Sequence, residues 1–258
     1  MKMIPSRAIV CLLGTLLCIG CSVKENRDLC PCRLVLDFRE VDPDAISSVD
    51  LYLIADDGFV FTDMVTADRY GDDYVASVPR SDMHLSVWSG DEGTAYESGL
   101  SIPLGKDCPK VHLHSSHIST FAEEIHERVV MRKIHCKVTV NLIGKEVNPI
   151  SLVMYGNVNG YDGGGKPIVG RFEYEAYPEN GTCHMVLPRQ IDDSLIMEIN
   201  DGSSVLKRFA LGNFIAQSGY DWTAPDLADI VIDLDFAATH LKLTIQGWEG
   251  EQRFDVVI

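Results

Sequence analysis

The sequence predicts an all-β protein, and three observations carry that expectation. Apolar and polar residues alternate at period two in run after run, which puts one strand face in a core and the other in water. Turn-forming clusters fall between the runs, as at Asp56-Asp57-Gly58, Gly71-Asp72-Asp73, Asn159-Gly160 and Asp201-Gly202. Helical patterning is sparse: Ser119 to Arg132 has room for one or two turns, and Phe209 to Gln217 for another. A hydrophobic content of 46% excludes general disorder.

Before the first strand comes a different kind of segment. Lys2 and Arg7 give a basic start, Ala8 to Ile19 form an apolar core of 12 residues, and Gly20 precedes Cys21. That order reads as a secretory signal (1–20) with a lipoprotein-type cleavage site. The core is too short to cross ~30 Å of hydrocarbon as a helix. Cleavage would free the amino group and thiol of Cys21 for acyl chains. Two or more such chains anchor stably where one is marginal. Cys18 stands at the third position before the cleavage point, where Leu is usual, with Leu17 beside it. An ordinary cleaved signal with an incidental cysteine is the alternative.

Residues 21–29 then read as a lipidated polar tether. Residues 1–20 carry two cations and no acid, so a formal net charge of −16 becomes −18 in the mature chain. Such a surface repels nucleic acid and anionic headgroups. Export permits disulfides among Cys30, Cys32, Cys108, Cys136 and Cys183, and an odd number leaves at least one thiol unpaired. A bond across the single residue between Cys30 and Cys32 would be strained, so one of them is expected to reach Cys108, with Cys136–Cys183 as the second pair. Sequence alone does not fix the connectivity.

The strands follow in order. Leu34, Leu36 and Phe38 alternate with Val35 and Asp37; Val138, Val140 and Leu142 with Thr139 and Asn141. Ile230, Ile232, Leu234 and Phe236 alternate with Val231, Asp233 and Asp235; Leu241, Leu243 and Ile245 with Lys242, Thr244 and Gln246. A repeat runs beneath this. Cys32-Arg33-Leu34-Val35-Leu36-Asp37-Phe38 parallels Cys136-Lys137-Val138-Thr139-Val140-Asn141-Leu142, and Val78-Pro79-Arg80 parallels Leu187-Pro188-Arg189. Two related β domains in tandem are expected, 30–130 and 131–258.

Several stretches resemble chemical motifs without completing them. Gly160 to Pro167 nearly spells a phosphate-binding loop, but Pro167 stands where a magnesium-holding hydroxyl belongs, so a mobile glycine-rich hairpin loop is expected. His112, His114 and His117 lack a Cys or acid at ligand spacing and read as surface histidines. His126-Glu127 lacks the second His of a zinc-protease motif, since Val130 occupies that place. Asp233 and Asp235 read as the wet face of a strand rather than a calcium site. No nucleophile elbow is present and nothing nominates a carboxylate pair. The expectation is a protein without catalytic residues, metal, cofactor or small-molecule substrate.

The C-terminal stretch is the most distinctive. Gly219-Tyr220-Asp221-Trp222 leads through Asp226-Leu227-Ala228-Asp229-Ile230 into an acidic strand and a final hairpin, Leu241 to Trp248 and Arg253 to Ile258. With Cys21, the tether and the Cys30-Pro31-Cys32 strand opener, this resembles the fimbrillin-A-associated anchor proteins, lipoprotein subunits of fimbriae in Gram-negative oral and gut anaerobes. The resemblance implies two transthyretin-like β-sandwiches and a place at the cell surface in the outer membrane. It also implies a partner, the fimbrillin stalk subunit, contacted by β-strand complementation. Arg253, Phe254, Asp255, Val256, Val257 and Ile258 are then a candidate strand-exchange segment, or simply the strand that closes its own domain. A surface glycan-binding lipoprotein is the alternative reading, in which Trp88, Trp222 and Trp248 stack on sugars.

Overall fold

The computed structural model describes residues 30–90, 99–143, 150–202, 204–235, 240–245 and 252–255. The signal, the tether with Cys21, Trp248 and Val256 to Ile258 lie outside them. The first half holds β1 (Cys32–Asp37), β2 (Ser48–Ala55), β3 (Val60–Thr66), β4 (Asp73–Val78), β5 (Asp82–Ser89), β6 (Gly99–Ser101), β7 (His112–Ser119) and β8 (Glu124–Arg128). After the short β9 (Arg132–Lys133) come β10 (His135–Ile143), β11 (Ser151–Asp162), β12 (Pro167–Ala176), β13 (Thr182–Pro188), β14 (Ile196–Asn200) and β15 (Val205–Phe209). The helix α1 (Leu211–Gln217) precedes β16 (Ile230–Asp235), β17 (His240–Ile245) and β18 (Gln252–Asp255).

These strands form four sheets, ordered β4-β1-β8, β3-β2-β5-β7-β9, β13-β10-β16-β17-β18 and β12-β11-β14-β15, the last also taking β6 against β11. The fold is all-β, and one pairing plan occurs twice. β1 is antiparallel to β4 and parallel to β8; β10 is antiparallel to β13 and parallel to β16. The register matches the sequence repeat, since Cys32 faces Val78 and Cys136 faces Leu187. β2 lies between β3 and β5 as β11 lies between β12 and β14.

Alternation produces the cores. Along β2, Val49, Leu51, Leu53 and Ala55 are buried while the residues between them are half-buried. Together with Leu34, Leu36, Phe38 and Leu85 they form the first core, whose buried members all lie between Cys32 and Val129. The second gathers Val138, Val140, Leu152, Met154, Met197, Ile230 and Ile232. Each such side chain contributes about 1.5–3 kcal/mol when fully buried. This second core also takes in Trp88, Leu100, Ile102, Cys108, Val111 and Leu113, all from the first half of the sequence.

Three expectations are corrected. Ser119 to Arg132 forms β8 and β9, not helix, because Ile125 packs on the first core while the strand pairs in parallel with β1. Asn159-Gly160 is not a turn but part of β11; a Cβ on Gly160 would lie 2.1 Å from the Leu100 carbonyl oxygen, so glycine serves the close approach of β6. The five cysteines of the described chain are free thiols. Cys32 belongs to the first core and Cys108 to the second. Cys183 pairs with Val140, four residues along β10 from Cys136. At about 3.4 Å per residue that puts the two roughly 13 Å apart, against a bridging limit of about 7 Å.

Candidate functional site

The two halves meet along a joint whose parts come from unrelated stretches of sequence. The Gly-rich turn between β11 and β12 closes on Asp162, whose Oδ1 accepts from the Gly164 and Lys166 amides at 3.0 and 2.9 Å. Gly165 occupies a left-handed φ of 84°, and a Cβ there would strike Leu113 at 1.9 Å. Ser86 on β5 donates its hydroxyl to the Gly163 carbonyl at 2.6 Å. This turn is therefore docked on the first half, not a mobile loop. Beside it, His84 meets His117 edge-on at 4.8 Å between ring centroids. Burial, and then the neighbouring His117, hold His84 below the ordinary imidazole range.

The segment after β8 is stitched to the loop before β16. Arg132 pairs with Asp226 at 2.9 Å, and Lys133 pairs with Asp229. The Leu227 amide donates to the Lys133 carbonyl at 3.0 Å. His135 hydrogen-bonds the Val111 carbonyl through Nδ1 at 2.9 Å, and burial pushes its pKa down to about 4. His114 accepts the Val130 amide proton at Nδ1, so its Nε2 carries hydrogen toward Glu127, 3.4 Å away. Of the three histidines of β7, His112 and His114 are half-buried rather than surface groups, whereas His117 is exposed as expected. Among the described residues no cluster of His, Cys, Asp or Glu is arranged to hold a metal.

Each Pro-Arg corner is pinned differently. In the first half Thr120, fully buried, accepts the Ser81 amide at 2.8 Å and donates to the Pro79 carbonyl at 2.7 Å. In the second, the Tyr161 hydroxyl accepts the Arg189 amide at 2.7 Å and donates to the Ile134 carbonyl at 2.6 Å. Burial pushes the Tyr161 phenol far above its ordinary value. Arg189 donates its guanidinium to the Trp222 and Pro225 carbonyls.

Beyond that corner lies a cleft of about 550 Å³ between the loop after β13 and the Trp222-Thr223 turn. Asp221 Oδ1 holds the turn by accepting from the Thr223 amide and hydroxyl at 2.7 and 2.6 Å. Gln190 forms the cleft's back wall for a structural reason. On one side of β11, pairing with β14 covers Ser151 to Tyr155 and pairing with β6 covers Gly160 to Asp162. Gln190 fills the gap between them, accepting from the Asn157 amide at 3.3 Å and donating to the Pro188 carbonyl at 2.7 Å. A Cβ on Gly156 would lie 2.7 Å from Gln190 Oε1, so the plug needs glycine there.

Of the tryptophans weighed as sugar platforms, Trp88 is in the core at 0% exposure and Trp222 retains 8%. Neither presents an open ring face, and Trp248 lies outside the described residues. The Asp233 carboxylate accepts from Asn141 Nδ2 at 2.8 Å on the wet face of its strand. The backbone of Arg253, Phe254 and Asp255 is paired with β17 of the same chain, as the outermost strand of its sheet. Sequence reasoning missed Tyr161, Thr120 and Gln190, and no spacing signal marks them.

These features define a class, an all-β chain of paired sandwiches whose halves share one strand plan. No protein-family model and no curated protein sequence matches the chain. Solved structures do. The fimbrial anchor protein Mfa2 from Porphyromonas gingivalis superposes with a TM-score of 0.58 at 13% identity, covering 85% of this chain and 98% of that one. A candidate polysaccharide-binding protein from Bacteroides thetaiotaomicron gives 0.63 at 11% identity over 88% and 98%. A candidate adhesin from Bacteroides ovatus gives 0.60 at 12% identity over 87% and 96%. At these identities the shared property is the fold.

Proposed function

We propose that the chain is a fimbrial anchor or assembly subunit, held at the surface of the outer membrane by an acylated Cys21 and joined to a stalk subunit by strand complementation. The observation that carries this reading is the likeness to Mfa2, which spans nearly all of that chain rather than a single sandwich. The signal segment ending in Gly20-Cys21 supplies the attachment. On this reading the chain divides into a tether at 21–29 and two sandwiches, 30–130 and 131–258. Residues 253–255 sit on an outermost strand, where main-chain groups are open to a partner. Cys21→Ala should move the protein from the membrane to the soluble fraction and shed fimbriae into the medium. Deleting residues 252–258 should leave the protein in the membrane while fimbriae are lost. Retention of Cys21→Ala in the membrane would refute the lipid anchor.

A second reading, glycan recognition at the cell surface, is favoured by the cleft beside Trp222 and by the fold shared with the candidate polysaccharide-binding protein. An anchor with a sugar subsite would satisfy both.

A further inference from the structure

We propose that the cleft between the loop after β13 and the Trp222-Thr223 turn is a subsite for a neutral sugar, one or a few rings of an uncharged oligosaccharide. This deepens the glycan reading and rests on it.

Three observations lead there. The cleft's volume of about 550 Å³ falls in the usual range for small-ligand sites of about 300–1,000 Å³. Its position follows from the fold, since it opens where the sheet is interrupted and Gln190 replaces a strand. One buried polar atom of its lining, the Trp222 indole Nε1, is a donor with no partner among the described residues. Buried polar groups are normally satisfied, and each exception calls for an explanation. A sugar hydroxyl can accept from that indole N–H while donating to a neighbouring carboxylate.

The charges narrow the class. Asp192 and Asp193 line the cleft, while the Arg189 guanidinium is already committed to two backbone carbonyls. Hydrogen bonds from Ser194 keep the Asp192 carboxyl below its usual range and therefore ionised. Anionic sugars are repelled by this arrangement. Neutral hydroxyls are matched by it, because carboxylates accept from sugar O–H groups. Ile191, half exposed on the same wall, and Pro167 opposite give an apolar surface for the C–H face of a ring. A lysine or arginine side chain would satisfy the carboxylates but, carrying donors only, would leave the Trp222 N–H unanswered.

The test is titration of the full-length protein in detergent with neutral gluco-, manno-, galacto- and N-acetylglucosamine oligosaccharides, alongside polygalacturonate and oligolysine. At least one neutral oligosaccharide should bind in the millimolar range or tighter, and polygalacturonate should not. Ile191→Arg and Asp193→Ala change groups outside both cores, and each should weaken that binding at least tenfold without lowering the melting temperature. Failure of every neutral oligosaccharide to bind would overturn the proposal, as would binding of oligolysine alone or binding that survives both variants. Membrane attachment and fimbrial retention of the same two variants should be unchanged. A failure here would leave the anchor reading standing, and a failure there would leave the subsite standing.

Discussion

The two halves share a strand plan but not the same independence. The first core is closed within residues 32–129, whereas the second draws Trp88, Leu100, Ile102, Cys108, Val111 and Leu113 from the other half. They also differ at the edge. β8 ends its sheet and carries exposed Glu124, His126 and Arg128, charges that discourage further pairing. The equivalent β16 is instead covered by the β17–β18 hairpin. A duplicated architecture therefore acquired one self-sufficient unit and one dependent unit that carries an added hairpin.

The largest expected effect tests that dependence. A fragment of residues 30–131 should melt cooperatively alone. A fragment of residues 133–258 should not, because it loses six buried apolar side chains and the β6 strand. Co-expression of the two should restore a cooperative complex that copurifies. Cooperative melting of 133–258 alone, followed by circular dichroism, would break the comparison.

Acid should separate the halves next, because the most strongly depressed histidine lies at the dependent one. His135 is pushed from 6.5 to about 4 by burial. The unfolded chain then takes up a proton that the folded chain refuses. Stability present above pH 6.5 is lost as pH falls toward 4, by about 3 kcal/mol at most. His84, His112 and His114 are depressed by burial as well and add in the same direction. Asp107 opposes them. Burial raises its carboxyl from 3.8 to about 6, so its contribution improves as pH falls through that window. In denaturant titrations between pH 7 and 4, His135→Asn should flatten the loss and Asp107→Asn should steepen it. An unchanged slope in both variants would show that neither group carries the effect.

The two Pro-Arg corners give the finest comparison. Tyr161→Phe removes a hydroxyl that serves the Ile134 carbonyl and the Arg189 amide; Thr120→Val does the same to Pro79 and Ser81. Each should cost about 1–3 kcal/mol by leaving backbone groups unsatisfied. Only Tyr161→Phe should also loosen the joint, read as faster amide exchange at Ile134 to Lys137. Equal exchange in the two variants would show the corners to be equivalent.

Much of the strand plan was legible because alternation survives wherever one face is buried and the other wet, as in Cys136 to Val140 and Ile230 to Leu234. The repeat even carried register, pairing each Cys with the residue before a Pro-Arg. Other features were not legible for physical reasons. Glu123, Glu124 and Glu127 favour helix locally, yet parallel pairing with β1 overrode that preference. Gly160 looked like a turn because sequence does not distinguish a glycine that bends from one that admits a neighbouring backbone. β6 is three residues long and has no period to detect. The cleft joins residues 167, 189–193 and 222–223, which share no spacing. Cysteine pairing was misjudged because counting thiols ignores how far apart a strand register places them.

Attachment of a fimbrium is best tested at the native membrane. The tagged full-length protein would be purified from gently solubilised outer membranes and its companions identified by mass spectrometry. A fimbrial stalk subunit should copurify with the intact chain and be lost when residues 252–258 are removed. Recovery of the protein from the membrane with no fimbrial subunit, under conditions that keep fimbriae intact, would contradict it.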